Sequence, residues 1–162
     1  VLNPLAKKVL FPHSGTFSAN PITMTAGFTA LSLFDREAVA KLNALGDQTR
    51  KQIAETIRAA EIPVCVTGAG SIFRIHMKPE PPKNYRSSFP TAEESRLVQA
   101  LLNHLFDNGI VMINTCSGTL STPMAEKEID TLIDVLQSGF HKIKEMRTEL
   151  RVVEKQLIGS TS

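Results

Sequence analysis

Proline sets the limits on what this chain can fold into, because its ring removes a backbone donor and breaks a helix from within. The nine prolines stand at 4, 12, 21, 63, 79, 81, 82, 90 and 123, so long proline-free spans remain at 22–62, 91–122 and 124–162. Helices have room there. The segment between Pro63 and Pro79 is short and rich in β-branched residues, and Val64–Thr67 and Ile72–Met77 read as two strands around the turn Gly68-Ala69-Gly70. The chain can therefore build long helices but only a small sheet.

Residues 1–20, with Pro4, Pro12, Gly15 and many small polar residues, read as an extended segment and loop. Asn20 directly before Pro21 signals a helix start, and the helix is predicted over Pro21–Phe34. Ala26, Gly27 and Ala30 beside Met24, Phe28 and Leu31 predict close packing on both sides. Asp35 is the predicted cap of a second helix to Ala60, with Val39, Leu42, Ile53 and Ile57 on one face and a bend at Gly46. Residues 78–90, with four prolines, should be a surface loop. Thr91 and Glu94 form a capping-box signature for a helix to about Asn108, carrying Leu97, Leu101, Leu102, Leu105 and Phe106, and Gly109 ends it. Ile110–Ile113 reads as a strand, Asn114–Gly118 as a turn and Thr119–Ser121 as the next strand. The last helix should start near Ala125 with Ile129, Leu132, Ile133 and Leu136, and resume after Gly139 with Phe140, Ile143, Met146, Leu150, Val153 and Leu157. The fold class is α+β: helices layered on a small, largely antiparallel sheet.

Composition narrows the function classes. Lys plus Arg number 18 against 16 Asp plus Glu, a spread +2, so there is no basic stripe of the kind a nucleic-acid binder carries. No apolar run approaches the roughly 20 residues of a membrane-spanning helix, and no leader-like run opens the chain, so neither nucleic acid nor membrane is an expected partner. Cys65 and Cys116 form no Cys-x-x-Cys pair, and a reducing, cytoplasmic setting is expected. His13, His76, His104 and His141 have no ligand spacing, so no metal is expected. Gly-x-Ser-x-Gly is absent, and Gly68-Ala69-Gly70 leads into a strand rather than the helix a dinucleotide loop needs. The chain opens on Val1 without a capped first element and is expected to be part of something longer.

The most informative segment is His13-Ser14-Gly15-Thr16-Phe17-Ser18-Ala19-Asn20-Pro21. A glycine-containing loop with hydroxyls that empties into a helix can hold an anion such as a phosphate. Ser, Thr and Asn also cap helices without binding anything. Local sequence leaves both readings open.

That run, continued by Ile22-Thr23-Met24-Thr25-Ala26-Gly27, resembles the segment that follows the cofactor lysine in class III pyridoxal-phosphate aminotransferases, in the branch of glutamate-1-semialdehyde 2,1-aminomutase. Thr67-Gly68-Ala69-Gly70-Ser71, Asp107-Asn108-Gly109-Ile110, Leu120-Ser121-Thr122-Pro123-Met124 and Glu128-Ile129-Asp130 follow in the family's order. The resemblance covers residues 1 to about 140 and implies the C-terminal small domain, plus connecting helix, of a fold-type-I transferase. It implies residues 1–34 as the end of a larger domain with the cofactor-phosphate loop, 35–140 as the small domain and 141–162 as a helical extension. It implies pyridoxal 5'-phosphate as cofactor, with Thr16 as the phosphate contact, Gly15 beside it and Ser14 helping to line the site, in a homodimer that shares the cofactor.

No catalytic residue is expected here, because the family's Schiff-base lysine lies upstream of this motif in a glycine-rich context that Lys7 and Lys8 do not share. The implied reaction of the complete protein moves an amino group between an amine or amino acid and an oxo acid or aldehyde. Relatives carry an arginine or a Pro-Ser-x-Phe-Glu-type run after Asp-Asn-Gly-Ile, whereas this chain has Met112-Ile113-Asn114-Thr115-Cys116-Ser117-Gly118, with no arginine for a substrate carboxylate. That departure leans towards a transaminase of an amine or β-amino acid over the aminomutase. A non-catalytic dimerising or phosphate-binding fragment is the alternative from another class.

Overall fold

The protein is described from a computed structural model over residues 15–159, with side chains described over 15–150. The described residues divide between Val39 and Ala40 into two compact units.

In the first unit, helix α1 (Pro21–Leu33) starts as its sequence predicts. Asn20 caps it and Pro21 occupies the first helical position, where the missing N–H costs nothing. The expected close packing is not found among the described residues: Met24, Phe28 and Leu31 are 62%, 74% and 74% exposed. Helix α1 is apolar around its circumference, so its sequence specifies no single buried face. Asp35 then caps helix α2 (Arg36–Ala60), its Oδ1 accepting the N–H of Ala38 at 2.8 Å.

The second unit carries the core. Helix α2 buries Leu42, Gly46, Thr49, Ile53, Ile57 and Ala60, a face of helical period. Strands β1 (Cys65–Ala69) and β2 (Ile72–His76) form the predicted hairpin, with Val66 opposite Ile75 and Gly68 opposite Phe73. A single helical turn, α3 (Tyr85–Ser88), interrupts the proline-rich loop and is capped by Asn84. Helix α4 (Ala92–Asp107) has its capping box in place: Thr91 Oγ1 accepts the Glu94 N–H at 3.2 Å and Glu94 Oε2 accepts the Thr91 N–H at 2.7 Å. Strand β3 (Ser117–Thr119) adds antiparallel to β2, giving the order β1-β2-β3, and helix α5 (Glu126–Gly159) closes the unit.

Four further expectations need correction, the first being the third strand, which is Ser117–Thr119 in place of the predicted Thr119–Ser121, because it is Ser117 and Gly118 that pair with Arg74 and Phe73. Ile110–Ile113 is not a strand, and the sheet has three strands among the described residues. Gly109, at φ 82°, turns the chain out of α4, the Ile110 N–H is tied back to the Leu105 carbonyl at 2.8 Å, and Val111 and Ile113 are exposed. β-propensity alone does not make a strand without a neighbour to pair with.

Gly46 does not bend α2. A Cβ there would lie 2.0 Å from the Gly70 carbonyl oxygen, so the glycine is the point where the helix backbone meets the hairpin turn. Arg50, one turn on, donates Nη1 to the carbonyls of Gly70 (2.6 Å) and Ile72 (3.0 Å) and pairs with Asp47. Gly139 does not break α5 either, because it is where α5 crosses α4: a Cβ would stand 2.6 Å from Leu101 Cδ1, and His104 Nε2 meets Ser138 Oγ at 2.8 Å beside it.

The core gathers Ile53, Phe73, Ile75, Leu97, Leu101, Leu105, Ile129, Leu136 and Phe140 between the helices and one face of the sheet. Each such side chain contributes roughly 1.5–3 kcal/mol relative to exposure. Gly118 sits against the Phe73 ring, with space for no larger residue. Lys144 of α5 donates to the last carbonyl of α2, at Ala60, at 2.8 Å, which ties the end of that helix to the core.

Candidate functional site

The predicted phosphate loop is a tight turn. The Ser18 N–H donates to the Gly15 carbonyl at 3.0 Å, the Asn20 N–H donates to the Phe17 carbonyl at 3.2 Å, and Ala19 adopts a left-handed φ of 58°. Asn20 Oδ1 accepts the N–H groups of Ile22 (3.0 Å) and Thr23 (3.3 Å), and Pro21 has none to offer. The capping role read from the sequence is thus realised, and the first-turn amides that could have held an anion are occupied. What the segment still offers a phosphate is the exposed Thr16 hydroxyl and the small, open turn at Gly15, where even a Cβ would reach the Ser18 hydroxyl at 3.2 Å. Those residues fit a phosphate presented from outside the turn. Ser14 and His13 lie outside the described residues.

A second polar site emerges only from the folded sheet. In β2, Phe73 and Ile75 enter the core, so Arg74 and His76 point to the opposite face, and Lys78 continues the row. Arg74 stands opposite Thr67 of β1 and Ser117 of β3. A cavity of about 290 Å³ forms over this face, lined by Arg74, Lys78, Glu94, Ser95, Asn114 and Thr115 among others. Three long-range facts of the fold build it: the hairpin register, the start of α4 and the turn before β3. The turn ends at Cys116, a non-glycine residue at φ 56° whose carbonyl accepts the Ile75 N–H at 3.0 Å.

The charges in this cavity are unequal in their partners. Lys78 Nζ and Glu94 Oε2 pair at 2.7 Å. Burial pushes the Glu94 carboxyl up, but the hydrogen bonds from Lys78 and Thr91 outweigh it and hold the group below its usual value. His76 is buried and meets Thr67 Oγ1 at 2.8 Å. Burial, with the charges of Arg74 and Lys78, holds its pKa below the usual value, so it is a neutral imidazole near pH 7. Arg74 is different: its Nε is buried without a hydrogen-bond partner, and its side chain makes no hydrogen bond or ion pair among the described residues. Nearby Cys116 is fully buried, and burial pushes its thiol up to about 12, an unreactive group.

No local motif marks this arginine, which lies upstream of Asp107-Asn108-Gly109-Ile110 and not after it. The alternation Phe73-Arg74-Ile75-His76-Met77-Lys78 already put Arg74, His76 and Lys78 on one face, but only the register of β2 with β3 brings them beside Asn114 and Thr115. Among the described residues no group of three or more His, Cys, Asp or Glu side chains could hold a metal ion, and no helix is long and apolar enough to cross a membrane.

No protein-family profile matches the chain. Over 134 residues, 81% of this chain, it is 32% identical to a glutamate-1-semialdehyde 2,1-aminomutase of Opitutus terrae and spans 31% of that protein. It is 31% identical over 128 residues, 78% of the chain and 29% of the relative, to the β-phenylalanine transaminase of Variovorax paradoxus. Among solved structures it resembles an omega-transaminase from Sphaerobacter thermophilus, with a TM-score of 0.78 and 36% identity over 83% of this chain and 31% of that one. It also resembles a transaminase with PLP bound, with a TM-score of 0.71 and 29% identity over 88% of this chain and 32% of that one. The chain thus spans about a third of the length of the proteins it matches.

Proposed function

We propose, on the premise that this chain belongs with the class III pyridoxal-phosphate aminotransferases as the counterpart of their C-terminal third, that the complete protein moves an amino group from an amine or β-amino acid to an oxo acid. The observation that carries this reading is the likeness to the Sphaerobacter omega-transaminase, at 36% identity across 83% of the chain. The β-phenylalanine transaminase of Variovorax supports the leaning towards an amine or β-amino acid donor. The departure Ile113-Asn114-Thr115-Cys116 from the family's usual run supports it over the aminomutase.

In this reading residues 1–34 end the larger, cofactor-bearing domain, 35–140 form the small domain and 141–162 extend it. The cofactor, when bound, supplies the electron-withdrawing ring on which amino groups are exchanged. This chain's part is to hold it: the Thr16 hydroxyl donates to the phosphate, Gly15 leaves the approach open, and Ser14 lines the site beside them. The Schiff-base lysine belongs to a segment other than these residues. Helix α1, with its exposed Ile22, Met24, Phe28 and Leu31, supports burial against the rest of the assembly, in keeping with a homodimer that shares the cofactor. The free Cys65 and Cys116 are in keeping with a cytoplasmic protein.

The test is an amino-transfer assay of the complete protein with β-phenylalanine and 1-phenylethylamine as donors and pyruvate as acceptor. Turnover is expected with at least one donor. Formation of 5-aminolevulinate from glutamate-1-semialdehyde, without transfer from either donor, would move the protein to the aminomutases, and neither activity would leave a binding fragment. Thr16→Ala should weaken cofactor affinity by about 1–2 kcal/mol, the effect of one lost charge-assisted bond. Equilibrium dialysis against pyridoxal phosphate checks it, and an unchanged affinity removes Thr16 from the site.

A further inference from the structure

We propose that Arg74 anchors a carboxylate-binding site in the cavity between the polar face of the sheet, the start of α4 and the Asn114–Thr115 turn, and that it receives the carboxylate of a substrate acid. The site stands on this unit's own geometry; that its ligand is a substrate rests on the aminotransferase reading above.

Several observations converge. The guanidinium Nε is out of contact with water and has no acceptor among the described residues. Arg74 as a whole is half-buried, and a buried N–H without a partner is costly, a cost relieved by an anion that enters the cavity. The other formal charges lining the cavity cancel, because Lys78 is spent on Glu94 and Glu94 is further satisfied by the Thr91 N–H. His76 is occupied by Thr67 and carries no charge to compete for an anion near neutral pH. One positive charge is left over, and it is the guanidinium.

Beside it the Asn114 amide lines the cavity and can donate, and so does the Thr115 hydroxyl, which shares a 3.0 Å hydrogen bond with Ser117 Oγ; the Ser95 hydroxyl is spent on the Thr91 carbonyl at 2.8 Å. A volume of about 290 Å³ suits a small organic acid. A planar fork of donors matches a carboxylate in two parallel bonds, which a lysine cannot reproduce, and the single unpaired positive charge here suits a carboxylate monoanion better than a phosphate dianion. Ser117, directly opposite Arg74 across the β2–β3 pair, is a small residue that leaves the fork room. The strand after Asp-Asn-Gly-Ile thus needs no arginine of its own, since its neighbour in the sheet supplies one.

The experiment titrates the complete protein with succinate, succinamide and inorganic phosphate by calorimetry, for wild type, Arg74→Gln and Arg74→Lys. Succinate should bind wild type, succinamide should not, and Arg74→Gln should weaken succinate by about tenfold or more, with Arg74→Lys in between. In the amino-transfer assay the KM for pyruvate should rise by a similar factor in Arg74→Gln, while the KM for 1-phenylethylamine, which has no carboxylate, stays within about twofold. Equal succinate affinity in wild type and Arg74→Gln, no succinate binding at all, or phosphate binding as tight as succinate overturns the proposal. If Arg74→Gln melts at a lower temperature than wild type, Arg74→Lys carries the comparison, and its retention of full succinate affinity counts against the bidentate site. Loss of succinate binding in a protein without amino transfer keeps the site and sinks the aminotransferase reading. Amino transfer with an unchanged pyruvate KM in Arg74→Gln does the reverse.

Discussion

Helices α1 and α5 are both rich in apolar residues, yet they bury opposite amounts. Helix α5 sinks Ile129, Leu136, Phe140 and Ile143 to 2% exposure or less, whereas no residue of α1 is buried. The difference lies in patterning. Helix α5 sets its apolar residues at three- and four-residue spacings and places Lys127, Asp130, Asp134 and His141 elsewhere, so one face is committed to α4 and the sheet. Helix α1 has no charged residue over its 13 positions and therefore no face reserved for water. The first pattern closes a core within the chain, and the second asks for a surface that surrounds it.

That contrast can be broken most directly at Phe140. Phe140→Ala should cost about 3–5 kcal/mol of unfolding free energy, while Phe28→Ala should leave the urea midpoint of a protein comprising only these 162 residues unchanged. A comparable loss from both would show that α1 is part of the same core. Next in size is the crossing at Gly139: Gly139→Val must displace Leu101 or His104, and about 1–3 kcal/mol of overpacking is expected from the same measurement. A neutral result would mean that α4 and α5 are not in close contact there.

The smallest expected effect is a pH dependence that belongs to the sheet and not to α1. His76 has a depressed pKa in the fold, so the unfolded chain binds a proton that the native state refuses. Stability should therefore fall as pH drops below the usual histidine value of about 6.5 and keep falling until the lower folded value is passed. Glu94 loses its contribution in a separate, more acidic window, as pH falls through its own lowered pKa. Urea midpoints at pH 7.5 and 5.5 should differ more for wild type than for His76→Gln. An equal difference in both would remove His76 as the source.

The parts of this fold that sequence makes legible are those set within one helical turn. Asn20 before Pro21, Asp35 before α2, and Thr91 with Glu94 before α4 each announce a helix start, because a cap is satisfied by residues two or three positions away. Ile110–Ile113 misleads for the complementary reason: four apolar residues carry the propensity of a strand, and only the fold decides whether a partner lies beside them. The same holds for the glycines, which look like punctuation and prove to be contact points. Of the two candidate sites, the Thr16 turn is local and could be found by inspection and by resemblance. The Arg74 cavity could not, since Arg74 and Asn114 are 40 positions apart and meet only through the β2–β3 register.

The contact between Gly46 and the Gly70 carbonyl also governs how this unit can change over time. Helix α2 is held in rotational phase at three places: at Gly46, at Arg50 on the hairpin carbonyls, and at Ala60, whose carbonyl receives Lys144. One residue inserted between Gly46 and Ala60 would turn the two ends of the helix against each other by about 100°. No side-chain substitution repairs a phase error of that kind. Changes of length should therefore accumulate in the proline-rich 78–90 segment, while α2 evolves only by replacement, with the frame that carries Arg74 kept in step behind it.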